Sequence, residues 1–120
     1  MYSLEVSGKI ADRLNEFVNA GAKILLDLDD GTGQFSNGAV ACSMDTAFQL
    51  IIVDQAVETP DYQLEIKSNV GPVYAKKHSK DILEPQMTLA YQAPFNQLTL
   101  NGQGEVLDPN VQIKNLFDKA

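Results

Sequence analysis

Apolar residues first recur along this chain with the spacing of a helix. Ile10, Leu14, Phe17 and Val18 stand at relative offsets of 0, 4, 7 and 8, which puts them on one face of a helical wheel. Ser7 is of the type that caps a helix start, and Gly21 supplies a stop. A helix with a single apolar face must lie on something larger.

After Gly21 the period changes to that of strands. Ile24, Leu26 and Leu28 alternate with Leu25, Asp27 and Asp29, the signature of a strand with two distinct faces. A glycine-bearing loop, Asp30 to Gly38, follows, and then a second apolar run from Phe48 to Val53. Tyr62, Leu64 and Ile66 alternate with Gln63, Glu65 and Lys67, and Val73 with Ala75 continues in that style. Met87, Leu89 and Tyr91 form another alternating set, as do Leu98 and Leu100.

Turn-forming residues separate these runs: Thr59-Pro60-Asp61, Asn69 to Pro72, Glu84-Pro85, Ala93 to Asn96, Asn101 to Gly104 and Asp108-Pro109-Asn110. Many short strands at close spacing predict a β-sandwich or a strongly coiled sheet. A short helix fits around Ile82, and the tail from Val111 to Phe117 reads as strand or helix. No internal repeat, linker or low-complexity tract interrupts the pattern. The prediction is one mainly β (α+β) domain over residues 1–120, with the N-terminal helix packed on the sheet.

Composition narrows the function. The chain has 120 residues, 44% of them apolar, enough for a real core. No apolar run approaches the ~20 residues that a membrane helix needs, and residues 1–9 show no secretory pattern. A net charge of −7 repels a phosphate backbone or an anionic bilayer, so neither nucleic acid nor membrane is an expected partner. The single cysteine excludes an intramolecular disulfide and points to a reducing compartment, the cytoplasm.

The stock of chemistry-bearing residues is short. The segment Asp27-Leu28-Asp29-Asp30-Gly31-Thr32 superficially resembles the first motif of haloacid-dehalogenase-type phosphatases, where one Asp is the nucleophile and a second the acid/base. An extra residue separates the second Asp from the Gly, and the later elements of that fold are missing. As a calcium loop, Asp27, Asp29 and Gly31 fall at positions 1, 3 and 5, but position 12 is Gly38 instead of Glu. An acidic strand end running into a turn is the plainer reading. Gly31-x-Gly33 lacks the remaining glycine of a nucleotide fingerprint. His78 lies in the basic run Lys76-Lys77-His78-Ser79-Lys80, which reads as a solvated turn. Nothing in the sequence brings it to Cys42 as a nucleophilic pair. Cys42 itself, preceded by Gly38-Ala39-Val40-Ala41, is the sharpest candidate, because small neighbours leave a thiol free to approach a metal. The alternative is a buried, inert cysteine.

Taken in order, these segments resemble the HesB-like domain of the A-type iron–sulfur cluster family. The helix with Ile10, Leu14 and Phe17 is similar to that family's N-terminal helix. The strand Lys23 to Leu28 is similar to the one leading to its first cysteine, and Cys42-Ser43 resembles its Cys-Ser-Gly turn. Ser79, Leu83, Leu89 and Tyr91 follow its Ser…Leu…Ile-Asp-Tyr pattern with one residue inserted, and Asp108-Pro109-Asn110 resembles its Asn-Pro-Asn. Asp29 to Ser36 is similar to a segment of a short, Gram-positive-type branch. The departures are Met44 for the Gly, Ala90 for the Asp, and Gln112 to Phe117 where the family carries Cys-Gly-Cys. The resemblance implies a non-enzymatic accessory role in iron–sulfur cluster biogenesis, with Cys42 as the metal-binding residue. It implies iron–sulfur assembly proteins as partners, and a homodimer. A cluster normally takes about four thiolates, and one cysteine per chain makes a stable cluster held in the family's manner unexpected. Iron, or a cluster completed by Asp or His, is the cargo still implied. The competing expectation is an interaction module of the same fold that has lost metal chemistry.

Overall fold

A computed structural model describes residues 2–28, 48–77, 79, 82–92 and 97–117. The elements run β1 (Tyr2–Val6), α1 (Gly8–Asn19), β2 (Ala22–Leu28), β3 (Phe48–Asp54), β4 (Leu64–Ser68), β5 (Val73–Ala75), β6 (Gln86–Gln92), β7 (Gln97–Asn101), β8 (Val106–Asp108) and β9 (Gln112–Asn115).

The helix forms where the 3.6-residue period predicts it, with Ile10 and Leu14 fully buried. Ser7 sits at the cap position, but its side chain makes no cap hydrogen bond. Its backbone N–H instead donates to Leu89 O, which fastens the helix start to β6. Gly21 ends the helix at φ +105°, a conformation that a side chain resists.

The predicted sandwich is replaced by the other architecture that the strand pattern allowed. The nine strands of the described residues form one sheet, in the order β8-β7-β6-β1-β4-β5-β2-β3-β9. β1 runs parallel to both β4 and β6, β2 parallel to β5, and β3 parallel to β9; the other pairs are antiparallel. The two outermost strands, β8 and β9, are consecutive in the chain and joined only by residues 109–111. A flat sheet could not satisfy that connection. The natural twist of strands lets one sheet coil until its ends approach, and Val111 N–H donating to Leu98 O at 2.7 Å ties the junction to β7.

The concave face carries the main core. Leu4, Val6, Ile24, Leu26, Leu50, Ile52, Ile66, Leu89 and Leu100 pack there with Ile10 and Leu14 of α1. A second, smaller cluster lies on the opposite face, where Leu25, Ile51 and Val53 pack with Tyr62. β2 and β3 are therefore buried on both faces, and they read as near-continuous apolar runs for that reason.

Three elements depart from expectation. β1 was not among the predicted strands, although Leu4 and Val6 are buried and it lies in the middle of the sheet. Tyr62 does not extend β4: the turn closed by Tyr62 N–H to Thr59 O folds its ring over the outer face, away from Ile66. In place of a helix centred on Ile82, Lys77 and Ser79 are 3₁₀-helical and Ile82 itself lies in a turn, the amides of Ile82 and Leu83 both donating to Ser79 O. The tail resolves to a strand, β9.

Replacing Leu26, which is fully buried, by Ala is expected to lower unfolding stability by about 2–5 kcal/mol, read from urea denaturation. Gly21→Ala should cost about 1–2 kcal/mol through backbone strain, since no atom lies within 4 Å of the added Cβ.

Candidate functional site

The β2–β3 hairpin frames the only cysteine-bearing stretch of the sequence, so the site is built from this hairpin outward. Leu28 pairs with Phe48 as its last described residue pair. Cys42 lies between them in sequence and, with Asp29, Asp30, Gly31, Gly33 and His78, falls outside the described residues.

Asp27 is the one acidic residue of the predicted run that is described. It shares the outer face of β2 with Leu25 and stands opposite Gln49 of β3. Its carboxylate is fully buried. Oδ2 accepts from Gln49 Nε2 at 2.7 Å and Oδ1 from the Tyr62 hydroxyl at 2.9 Å. Lys76 Nζ approaches Oδ1 at 3.1 Å. Lys76 arrives there because it continues β5 by one residue: Ala75 stands opposite Leu26, so the next side chain on the outer face is level with Asp27. The ammonium also donates to Leu28 O at 3.2 Å and lies 5.9 Å from the centre of the Tyr62 ring.

Burying two charges is unfavourable unless they are paired and hydrogen-bonded, and here both conditions are met. A carboxylate enclosed in this way, with each oxygen engaged inside the chain, has no approach for a phosphate or a calcium ion. Asp27 is therefore a member of a buried ion pair at the end of β2, which removes it as nucleophile or calcium ligand. The basic run is corrected too. Lys76 and Ser79 are buried, and the Ser79 hydroxyl donates to Lys76 O. Lys76 turns inward because it has a carboxylate to meet, while Lys77 stays exposed.

The C-terminal segment converges on the same hairpin from the other side. Asp108, the first residue of Asp108-Pro109-Asn110, is buried. Its Oδ2 accepts from Phe48 N–H at 2.7 Å and its Oδ1 from Asn110 N–H at 2.9 Å. β9 then runs beside β3, from Gln112 opposite Gln49 to Asn115 opposite Ile52. Leu116 N–H donates to Ile52 O, and the buried Phe117 meets Phe17 of α1 edge-on, with ring centres 6.2 Å apart. The stretch Gln112–Phe117, where the A-type pattern carries two cysteines, is thus an edge strand and a core anchor.

These residues do not fit a cluster held by thiolates. The chain carries one cysteine, so two copies together supply only half of the roughly four sulfur ligands required. Among the described residues no group of three or more His, Cys, Asp or Glu is placed to hold a metal ion. An open groove of about 620 Å³ crosses the outer face of β4, β1 and β6. Its charged lining residues are Glu5 and Lys67.

The Asp27–Lys76 pair makes a sharp prediction. Lys76→Met alone is expected to cost about 3–5 kcal/mol, because it strands a buried carboxylate. Asp27→Asn combined with Lys76→Met should recover at least half of that loss, since the uncompensated charge is gone while the acceptor for Tyr62 remains. Urea unfolding of the two variants, set beside Asp27→Asn alone, measures the coupling.

Two solved structures share this architecture. One is a Lactobacillus salivarius protein provisionally assigned to Fe-S biosynthesis and described as having a novel fold; it is 27% identical, with a TM-score of 0.80 over 97% of this chain and 99% of that one. The other, from Lactobacillus acidophilus with the same provisional assignment, is 25% identical, with a TM-score of 0.70 over 94% of this chain and 89% of that one. No curated protein matches the chain. The family model for iron-sulphur cluster biosynthesis matches residues 2–115, a span that includes every strand of the sheet and the helix on it, and the chain belongs to that family.

Proposed function

We propose that this chain serves iron–sulfur cluster biogenesis as a non-enzymatic accessory protein, taking up iron or docking an assembly partner through Cys42. The family match over residues 2–115 carries the reading. Cys42 is the one thiol in the chain, and thiolate is the ligand that iron–sulfur chemistry uses. With one thiolate per chain, any iron held there draws its other ligands from solvent, from a partner or from a second copy. A homodimer working in the cytoplasm fits this scheme, because a reducing compartment keeps the thiol available.

A second reading draws on the C-terminal segment. Gln112–Asn115 is committed to pairing with β3 and Phe117 to the core, so this stretch works as structure. That favours an interaction module that keeps the family fold and has given up metal chemistry.

Protein purified without oxygen and reconstituted with iron separates the two. On the first reading, wild type retains iron after desalting and Cys42→Ser does not, with absorption spectroscopy showing no intense sulfide-to-iron charge-transfer bands of a stable cluster. Equal, negligible iron in both proteins would remove the iron reading. Unchanged folding in the presence of a chelator, together with partner capture that survives Cys42→Ser, would support the second.

A further inference from the structure

The chain after β3 folds back over the outer face of the sheet and leaves a hollow against it. Backbone bonds hold this loop in place. Gln55 N–H donates to Gly21 O at 2.9 Å, Val57 N–H to Asp54 O at 2.9 Å and Tyr62 N–H to Thr59 O at 3.0 Å. Between the loop, the start of β2, β5 and the end of α1 lies a pocket of about 420 Å³. Small-molecule sites of this size have apolar and aromatic walls with a few placed polar groups.

The walls here are of that kind. Tyr62 is buried and Tyr74 half-buried, and both pack with Leu25, Ile51 and Val53. The Tyr62 hydroxyl donates to Asp27 Oδ1 at 2.9 Å, so its ring is fixed. Val18 and Pro72 complete the apolar side, and the neutral polar lining is Gln55 and Thr59.

The one charged lining residue is Lys23. It stands opposite Val53, one step before the Ile24–Val73 pair, and so shares the outer face with Leu25. Its ammonium donates to Val57 O, which fixes it against the loop. An ammonium has three donors, and this bond uses one. Among the described residues no carboxylate stands within ion-pairing distance of it. That is notable in a chain whose acidic residues outnumber its basic ones by sixteen to nine. A lining with one cation and no acid is complementary to an anion.

We propose that this pocket binds a small organic carboxylate with an aromatic or flat apolar body. The carboxylate accepts from the donors of Lys23 that Val57 leaves open, and the body lies against Tyr74, Pro72 and Val18. An organic cation would meet Lys23 and no acidic partner. The site uses neither iron nor Cys42, so it stands independently of the role proposed above.

The test titrates the full chain with phenylpropionate and, separately, with its neutral amide, phenylpropionamide, followed by amide chemical shifts in NMR. Phenylpropionate at up to about 10 mM is expected to shift Lys23, Gln55 and Tyr74 saturably. The neutral amide should bind at least about fivefold more weakly, as loss of a hydrogen bond to a charged group implies. Lys23→Met should remove that difference, whereas Lys67→Met on β4, which takes a charge from another part of the sheet, should keep it. The comparison of acid with amide on wild type carries the test if Lys23→Met does not fold. Absence of saturable shifts, or equal binding of acid and amide, overturns the proposal. So does an equal loss in Lys67→Met, or propionate binding as tightly as phenylpropionate, since the first removes Lys23 and the second removes the aromatic wall from the account.

Discussion

Burial of both faces of the β2–β3 hairpin is the constraint on which the rest of the structure depends. One face meets α1 and the concave core, and the other meets Tyr62 and the turn that carries it. A hairpin enclosed in this way tolerates a polar side chain only where its partners are built in. Asp27 and Gln49, the one polar pair facing each other across the two strands, therefore recruit Tyr62 and Lys76 from separate parts of the chain. The ion pair follows from the burial, and the inward placement of Lys76 just after β5 follows from the ion pair.

The same hairpin organises the ends of the sheet. β9 can add to β3 only if the sheet coils far enough for the connection after β8 to reach, and Asp108 stands at that crossing, bonded to Phe48 on one side and to its own turn on the other. Phe117 then closes the arrangement by packing on α1. The helix, both outer strands and the central hairpin thus share one core, and the C-terminal segment is tied into it by backbone pairing and by an aromatic anchor.

This arrangement bears on function through what it leaves available. Family membership links the chain to iron–sulfur cluster biosynthesis, yet the C-terminal stretch that resembles the cysteine-bearing end of A-type proteins contributes strand hydrogen bonds and a buried ring. The chain's one thiol is Cys42, which lies in sequence between the two strands of the hairpin. Architecture and thiol count point in different directions: the first is that of the family, and the second falls short of a resident cluster.

Much of the fold was legible in the sequence, and the reasons are local. The helix declared itself through Ile10, Leu14 and Phe17, and β2, β3, β4 and β6 through alternation or apolar runs, because side-chain periodicity is a property of each segment by itself. The family resemblance was legible for a related reason, as order and spacing along one chain. β1 escaped notice because five residues with two buried side chains leave a faint signal. Strand partners, the choice of one coiled sheet over a sandwich, and the roles of Asp27, Lys76 and Asp108 were settled only in the tertiary structure. Each depends on which distant segment lies alongside, and a single residue carries no mark of that. An Asp at the end of an apolar strand reads the same whether it faces water, a cation from solvent or a buried lysine. Only the packed sheet, by excluding water and bringing Lys76 to it, decided which.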